Sequence, residues 1–449
     1  MPQLAPAPRW TRAQVARLDR GLRAGFAASI DGARRYSLVV LSQRGRVIFH
    51  DRARRGSAPA STQKLIVAST ALAVLGPEYR FHTLLAASAP PRADGSLAGD
   101  LWLIGSGDPS LTYRDLTRGV SDLVRRGLRR VDGGVAVDAH SIAGPGVNPL
   151  WNQNDDEDDY QPPTSGISLD EDNLHILVAG TNPGAPAHVW SAPPADDVVV
   201  HDEVVTQGGI PSNVIVGMGT ALNHFVVSGN IRPGIVQKYS LPIHGVAHYA
   251  GDVLASLLAS RGVSTDAPPG VGSAPLDSVV LWDHASAPSW MLEHHMLIVS
   301  DNHYAEQLMR TLGGVRYGIP DDAHGLRVER HFLARTGVPT PELHLVDGSG
   351  LAHVDRIAAI TLATILLKNP ALARLLPKGG KQGTLTSYDF TTALGRVRAK
   401  TGHLDGVSAL AGYVWTAHHG RVIFAFSVND SPADPDDAMI AAVDRIAAM

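Results

Sequence analysis

Lysine occurs in this sequence at only Lys64, Lys238, Lys368, Lys378, Lys381 and Lys400. Of these, Lys64 alone has a serine three positions earlier, in Pro59-Ala60-Ser61-Thr62-Gln63-Lys64. On a helix, residues three apart are neighbours, so the Lys64 amine would lie beside the Ser61 hydroxyl. A serine becomes a nucleophile when an adjacent base takes its proton, and an amine kept neutral by burial or by nearby positive charge can be that base. The start of a helix also offers free N–H groups and a positive dipole end to a developing oxyanion. The plainer reading of the same residues is an N-cap serine with a solvated lysine one turn on.

A second lysine opens Lys400-Thr401-Gly402, at the end of an apolar strand pattern. An ammonium, a hydroxyl and a bare backbone on a strand suit a substrate carboxylate and main-chain pairing to an extended peptide. Ser-x-Asn occurs at Ser228-Gly229-Asn230, Ser300-Asp301-Asn302 and Ser427-Val428-Asn429. The middle copy is preferred, because it lies between the other two motifs, at a break between helical patterns where polar side chains can reach a cleft.

These residues need a frame. Helical periodicity runs over Thr11–Ile30, a hairpin signal over Tyr36–His50, and an apolar helix over Ser61–Leu75, stopped by Gly76-Pro77. From about residue 86 to 275, short β-like segments alternate with Gly/Pro-rich turns. Helical patterns return at Ser289–Val299, His303–Leu312 and Ile357–Leu367. Strand candidates follow at Arg396–Thr401, Ser408–Trp415 and Arg421–Val428, then an amphipathic helix over Asp434–Met449. The order predicts an α/β domain, an antiparallel sheet flanked by helices, with β-rich material inserted in it. A length of 449 residues exceeds one compact core.

Composition narrows the chemistry. A net charge of -4 gives no basic excess for nucleic acid. With no cysteine, disulfides, thiolate catalysis and cysteine-ligated metals are excluded. The twenty histidines are scattered, and pairs such as His294-His295 are adjacent rather than at ligand spacing, so no metal or other cofactor is expected. No run approaches the ~20 apolar residues that span a bilayer, so no integral membrane segment is expected. The stretch Ala24–Ile30 is too short for a signal-peptide core, and none is read in this sequence.

Ser-x-x-Lys, Ser-Asp-Asn and Lys-Thr-Gly, in that order, form the motif set of penicillin-recognising serine enzymes. The long gap from Ser61 to Ser300 resembles the low-molecular-mass class C penicillin-binding proteins, the D-alanyl-D-alanine carboxypeptidase/endopeptidase family with inserted domains. Further stretches are similar to that family: Leu103–Pro109, Asp347-Gly348-Ser349-Gly350-Leu351, Gly383-Thr384-Leu385, and Arg398–Gly402 running on to Gly406–Tyr413. The resemblance implies a β-lactamase/transpeptidase-like catalytic domain over 1–85 and 276–449. It also implies an inserted domain II over 86–166 and 247–275 and a domain III over 167–246, both β-rich.

It further implies that Ser61 attacks the D-Ala-D-Ala carbonyl and Lys64 takes its proton. Ser300 relays a proton to the leaving amine, Asn302 holds the substrate amide, and Lys400 and Thr401 bind the terminal carboxylate. The N–H groups of Ser61 and His403 form the oxyanion hole. Implied ligands are peptidoglycan stem peptides and β-lactams, and the implied location is periplasmic or otherwise extracytoplasmic. Glu306, Glu329 and Glu342 do not begin the Glu-x-x-Leu-Asn pattern of class A β-lactamases, so slow release of β-lactams is expected.

Two positions stand apart. The family's usual Ser or Thr after Lys-Thr-Gly is His403 here, which keeps the backbone N–H and puts an imidazole in place of a hydroxyl. In the acidic run Asp155–Asp159, Asp155 lies between Trp151 and Tyr160, where the family has an acidic contact to the diaminopimelyl side chain. A D-amino-acid amidase or aminopeptidase on the same scaffold, favoured by His403, and a catalytically silent peptidoglycan-binding protein are the alternatives.

Overall fold

The computed structural model describes residues 9–152, 159–195, 198–219, 221 and 223–449. They form two compact units. The first comprises the chain up to Tyr79, Pro288–Gly318 and Asp322–Met449; the second comprises Arg80–Ala287 with Ile319–Asp321. The seam lies a few residues outside 85 and 276. The reason is that strand His82–Ala87 pairs antiparallel with strand Val279–Ala285, so both belong to one sheet.

The first unit is built on a five-stranded antiparallel sheet. Its order is Val397–Leu404, Val407–Trp415, Arg421–Asn429, Arg35–Ser42, Val47–Asp51. Period-two alternation sends Leu38, Val40, Phe424 and Phe426 to one face, where the terminal helices Arg12–Ile30 and Asp436–Ala447 cover them with Leu18, Leu22, Phe26, Met439, Val443 and Ile446. The N-terminal helix starts where a capping box forms between Thr11 and Gln14. The helix Ala359–Lys368 packs against the sheet and against the helix Lys64–Val74, which in turn contacts Ser289–Val299, Asn302–Tyr317 and Asp322–Arg335. Asp322–Arg335 had not been anticipated as a helix.

The second unit contains a five-stranded sheet in the order Gly270–Val271, Val135–Asp138, Leu101–Ile104, His82–Ala87, Val279–Ala285. Three smaller three-stranded sheets accompany it. The strand-rich reading holds, with two helices added to it, Tyr113–Arg125 and Val246–Ser260. Val246–Ser260 buries one face through Val246, Tyr249, Ala250, Val253, Leu254, Leu257 and Leu258, while the other face is mostly Ala and Ser and gives little polar contrast in the sequence. Ser228-Gly229-Asn230 belongs to a strand of this unit.

The third Ser-x-Asn copy turns out to be structural. Ser427 Oγ lies 2.9 Å from Ser57 Oγ and donates to Ala58 O at 3.1 Å, while Asn429 Oδ1 accepts the Ala58 N–H at 2.7 Å. The last strand therefore fixes the segment just ahead of Ser61. Asn429→Leu leaves that buried N–H unpaired, and stability should fall by about 1–3 kcal/mol. Denaturant unfolding checks this, and an unchanged midpoint would show that Asn429 does not hold the segment.

Candidate active site

Ser61 is set by a break in helical geometry. Ala60–Gln63 is a 3-10 turn, and the α-helix proper begins at Lys64. The sequence reading of one helix from Ser61 is therefore refined: a tight turn carries the serine and the helix carries the lysine. Ala60 has φ of 45°, a left-handed conformation rare for a residue with a side chain. Gly350, at φ +84, fits against it: a Cβ there would lie 2.1 Å from Ala60 O. On the other side, a Cβ at Gly402 would lie 2.8 Å from Pro59 O and 3.0 Å from Ser61 N. Gly402 lets the edge strand approach the turn.

Ser300-Asp301-Asn302 is the joint between two helices. Ser300 caps the C-terminus of Ser289–Val299 in the left-handed region, at φ 69°. Asp301 caps the N-terminus of the next helix, accepting the Tyr304 N–H at 3.0 Å. Burial opposes ionisation of Asp301, yet the His295 hydrogen bond and the His303 charge bring its pKa below the usual carboxylate value. Asn302 then begins the helix. Each residue of the motif thus has a local role that aims its neighbours into the cleft.

Lys64 is completely buried. Its Nζ lies 2.8 Å from Ser61 Oγ, 2.6 Å from Asn302 Oδ1 and 2.9 Å from Ser349 O. The last two partners can only accept, so a neutral Lys64 gives them its two N–H groups and keeps its lone pair for the Ser61 hydroxyl. Burial lowers the Lys64 pKa to about 8, against the opposing pull of Asp301, Asp347 and Glu306. Lys400 is equally buried, and its Nζ donates to Ser300 Oγ at 2.9 Å and to Thr401 O at 2.8 Å. Desolvation, helped by the charge of Lys64, pushes the Lys400 pKa well down.

The carbonyl that receives Lys64 belongs to the turn Asp347–Gly350. Glu306 Oε1 accepts the N–H of Gly348 at 3.0 Å and of Ser349 at 2.7 Å. Asp347 Oδ1 accepts from Gly350 N at 2.7 Å and Gln63 Nε2 at 2.9 Å. Burial, and next Asp347, raise the Glu306 pKa to about 8. The sequence had marked Glu306 only as failing the β-lactamase pattern; its backbone-holding role was missed.

Ser61, Ser300, Thr384, Ser387, Tyr388, Thr401, His403 and Asp436 line a cleft of 460 Å³. Thr401 Oγ1 donates to Thr384 Oγ1 at 2.8 Å. His403 Nε2 lies 2.8 Å from Asp436 Oδ2 and 3.2 Å from Tyr388 OH. Of the residues expected from sequence, Ser61, Lys64, Ser300, Asn302, Lys400, Thr401, Gly402 and His403 come together in this unit, while Asp155 lies outside the described residues. Ser387, Tyr388 and Asp436 carried no motif signal.

A family model described as the D-Ala-D-Ala carboxypeptidase 3 (S13) family matches residues 28–449. The chain belongs to the D-Ala-D-Ala carboxypeptidase 3 (S13) family. It is thus a serine-type carboxypeptidase, a hydrolase. It is 29% identical over 412 residues to a D-alanyl-D-alanine carboxypeptidase of Actinomadura sp. (strain R39), covering 87% of this chain and 76% of that one. It is 26% identical over 402 residues to the carboxypeptidase DacB of Haemophilus influenzae, covering 82% and 80%. The crystal structure of penicillin binding protein 4 from Haemophilus influenzae has the same fold, with a TM-score of 0.81 at 22% identity over 94% of this chain and 97% of that one. In this S13 chain no described helix is long and apolar enough to cross a membrane.

Two outcomes follow from the buried charges. With a neutral Lys64 acting as the base, the rate of penicillin acylation should rise with pH through about 8 and level off above it. Lys64→Arg should abolish it, since a guanidinium keeps its proton. Stopped-flow acylation across pH checks this, and a flat profile would remove Lys64 as the base. The raised pKa of Glu306 means that the folded state binds more protons there than the unfolded chain. Its contribution is full below the ordinary pKa of about 4.3 and is lost as pH rises towards about 8. Glu306→Gln can still accept both N–H groups, so its melting temperature should decline less with pH over that window than that of the wild type. Parallel thermal-melt curves would count against the assignment.

Proposed function

We propose that this chain is a D-alanyl-D-alanine carboxypeptidase/endopeptidase that cleaves peptidoglycan stem peptides through an acyl-enzyme on Ser61, outside the cytoplasm. The observation that carries the reading is the buried amine of Lys64, 2.8 Å from Ser61 Oγ with its other partners both acceptors. Ser61 Oγ attacks the carbonyl of the penultimate D-Ala as its proton passes to Lys64. The oxyanion sits against the N–H groups of Ser61 and His403, and the close approach at Gly402 supports that pairing.

Ser300, held by Lys400, relays the proton taken up by Lys64 to the departing amine as the C–N bond breaks, which leaves Lys64 neutral again. The product D-Ala leaves, and water attacks the ester to release the shortened peptide and restore the Ser61 hydroxyl. Asn302 holds the acyl-side amide, and Lys400 and Thr401 attract the terminal carboxylate, whose charge favours the ammonium form of Lys400. A β-lactam follows the same first step. Its leaving nitrogen stays tethered to the acyl group, which keeps the adduct in place.

We also assign the insert two β-rich domains, divided near residues 167 and 246. Asp155 remains the sequence-based candidate for contact with the diaminopimelyl group.

Fluorescent penicillin tests the reading directly. Wild type should form one covalent adduct per chain, and Ser61→Ala should fold normally and form none. An adduct of unchanged stoichiometry in that variant would remove Ser61 from the mechanism, and no adduct in wild type would favour a silent binding protein.

A further inference from the structure

His403 lines the cleft where the resemblance leads one to expect a hydroxyl. A hydroxyl can rotate to donate or accept, whereas each ring nitrogen of an imidazole has a role set by where the proton sits. Nε2 lies 2.8 Å from Asp436 Oδ2. Tyr388 OH lies 3.2 Å from Nε2 and 3.4 Å from the same carboxylate oxygen. An ionised carboxylate only accepts, so the shortest of these contacts requires a proton on Nε2.

Asp436 is suited to be ionised. Burial opposes its charge, but hydrogen bonding and charge from His403, with help from Ser408 and Tyr388, hold its pKa below the usual carboxylate range. Tyr388 keeps its phenolic proton, since burial and the neighbouring Asp436 push its pKa up. Asp434 stands near Tyr388 from the loop before the last helix, and Lys400 lies three residues earlier on the strand of His403. Asp436, the carboxylate in contact with the ring, therefore favours a proton on Nε2.

The consequence falls on Nδ1, which has no protein partner among the described residues. When the imidazole is neutral, Nδ1 is a bare lone pair and can only accept. When the imidazole is charged, Nδ1 carries a proton and offers a charge-assisted donor. A carboxylate, all acceptors, is met well only by the charged ring. A carboxamide brings its own N–H and is met well by the neutral ring.

We propose that Asp436 is a positioning residue that holds the proton of His403 on Nε2, and that His403 thereby selects the leaving group: a free carboxylate when the imidazole is charged, a carboxamide when it is neutral. The proposal rests on the reading of this cleft as the D-Ala-D-Ala cleavage site. It differs from simple replacement of a hydroxyl donor, because a neutral His403 held this way has no donor left to give.

The test is the ratio of kcat/KM for a peptide ending in D-Ala-D-Ala to that of the same peptide ending in a carboxamide. The Lys64 pKa is lowered to about 8, but both substrates need the same base, so its effect cancels in the ratio. In wild type the ratio should fall by about tenfold between about pH 5 and about pH 9, with the change lying in KM of the free acid. Asn in place of Asp436 can turn its amide N–H towards Nε2, which leaves a neutral ring free to carry its proton on Nδ1. Asp436→Asn should therefore hold the ratio within about twofold over that range, and so should His403→Gln, which does not titrate.

A flat ratio in wild type, or a slope in Asp436→Asn as steep as in wild type, overturns the proposal. If Asp436→Asn does not fold, His403→Gln decides: a retained slope there overturns it equally. End-point labelling with fluorescent penicillin at each pH separates the two levels of inference. Wild type that takes no label undermines the cleavage site itself, while label with an unchanged ratio removes only the selector.

Discussion

A primary amine buried away from bulk solvent is the constraint from which the catalytic unit follows. Lys64 is completely buried, and burial of that kind disfavours the ammonium form by several kcal/mol unless partners replace the solvent. The surroundings supply acceptors from Asn302 and the Ser349 carbonyl, and the third partner is the Ser61 hydroxyl. A hydroxyl can donate as well as accept, so a neutral amine fits this set by taking the Ser61 proton on its lone pair. Around it stands a ring of supporting groups. Glu306 and Asp347 fix the turn that presents the carbonyl, Asp301 fixes the helix that presents Asn302, and the charge of Lys64 in turn helps push the Lys400 pKa down.

This arrangement also explains why the cleft tolerates so many buried ionisable groups. Glu306, Glu329 and Asp355 are all driven by burial towards their neutral forms. A neutral carboxyl can keep accepting backbone N–H groups without adding a full negative charge beside Lys64. Were these groups ionised, their field would stabilise the ammonium and disarm the base.

Much of the frame was legible from residue patterns. The terminal helices, the three consecutive strands Val397–Leu404, Val407–Trp415 and Arg421–Asn429, and the helix after Ser61 follow from strong periodicity. The helix Val246–Ser260 was missed because the face turned from the core is mostly Ala and Ser, which blurs the contrast between faces. At the site, Ser61, Lys64, Ser300, Asn302 and Lys400 could be found because they sit in short motifs. Asp436 could not, because nothing in the local pattern of the last helix says that its first turn will meet a strand some thirty residues earlier. Glu306 and Asp347 were visible as residues but not as supports, since their partners are backbone groups that leave no trace in a sequence. The Ser-x-Asn copy at Ser427 shows the converse: a matching pattern whose work is to anchor the chain ahead of the nucleophile.

That anchor has a consequence for how the enzyme comes into being. Ser57 and Ser427 are 370 positions apart, and Ala58 and Asn429 are 371 apart. Contacts of such separation close late, after the entropy of a very long loop has been overcome. A chain emerging from the ribosome N-terminus first presents Ser61 early, together with its lysine, but the strand that sets the turn arrives almost at the end. The nascent protein is therefore unarmed for nearly the whole of its synthesis. A product cut short before Arg421–Asn429 would carry every motif of the family and still lack the support that fixes its serine.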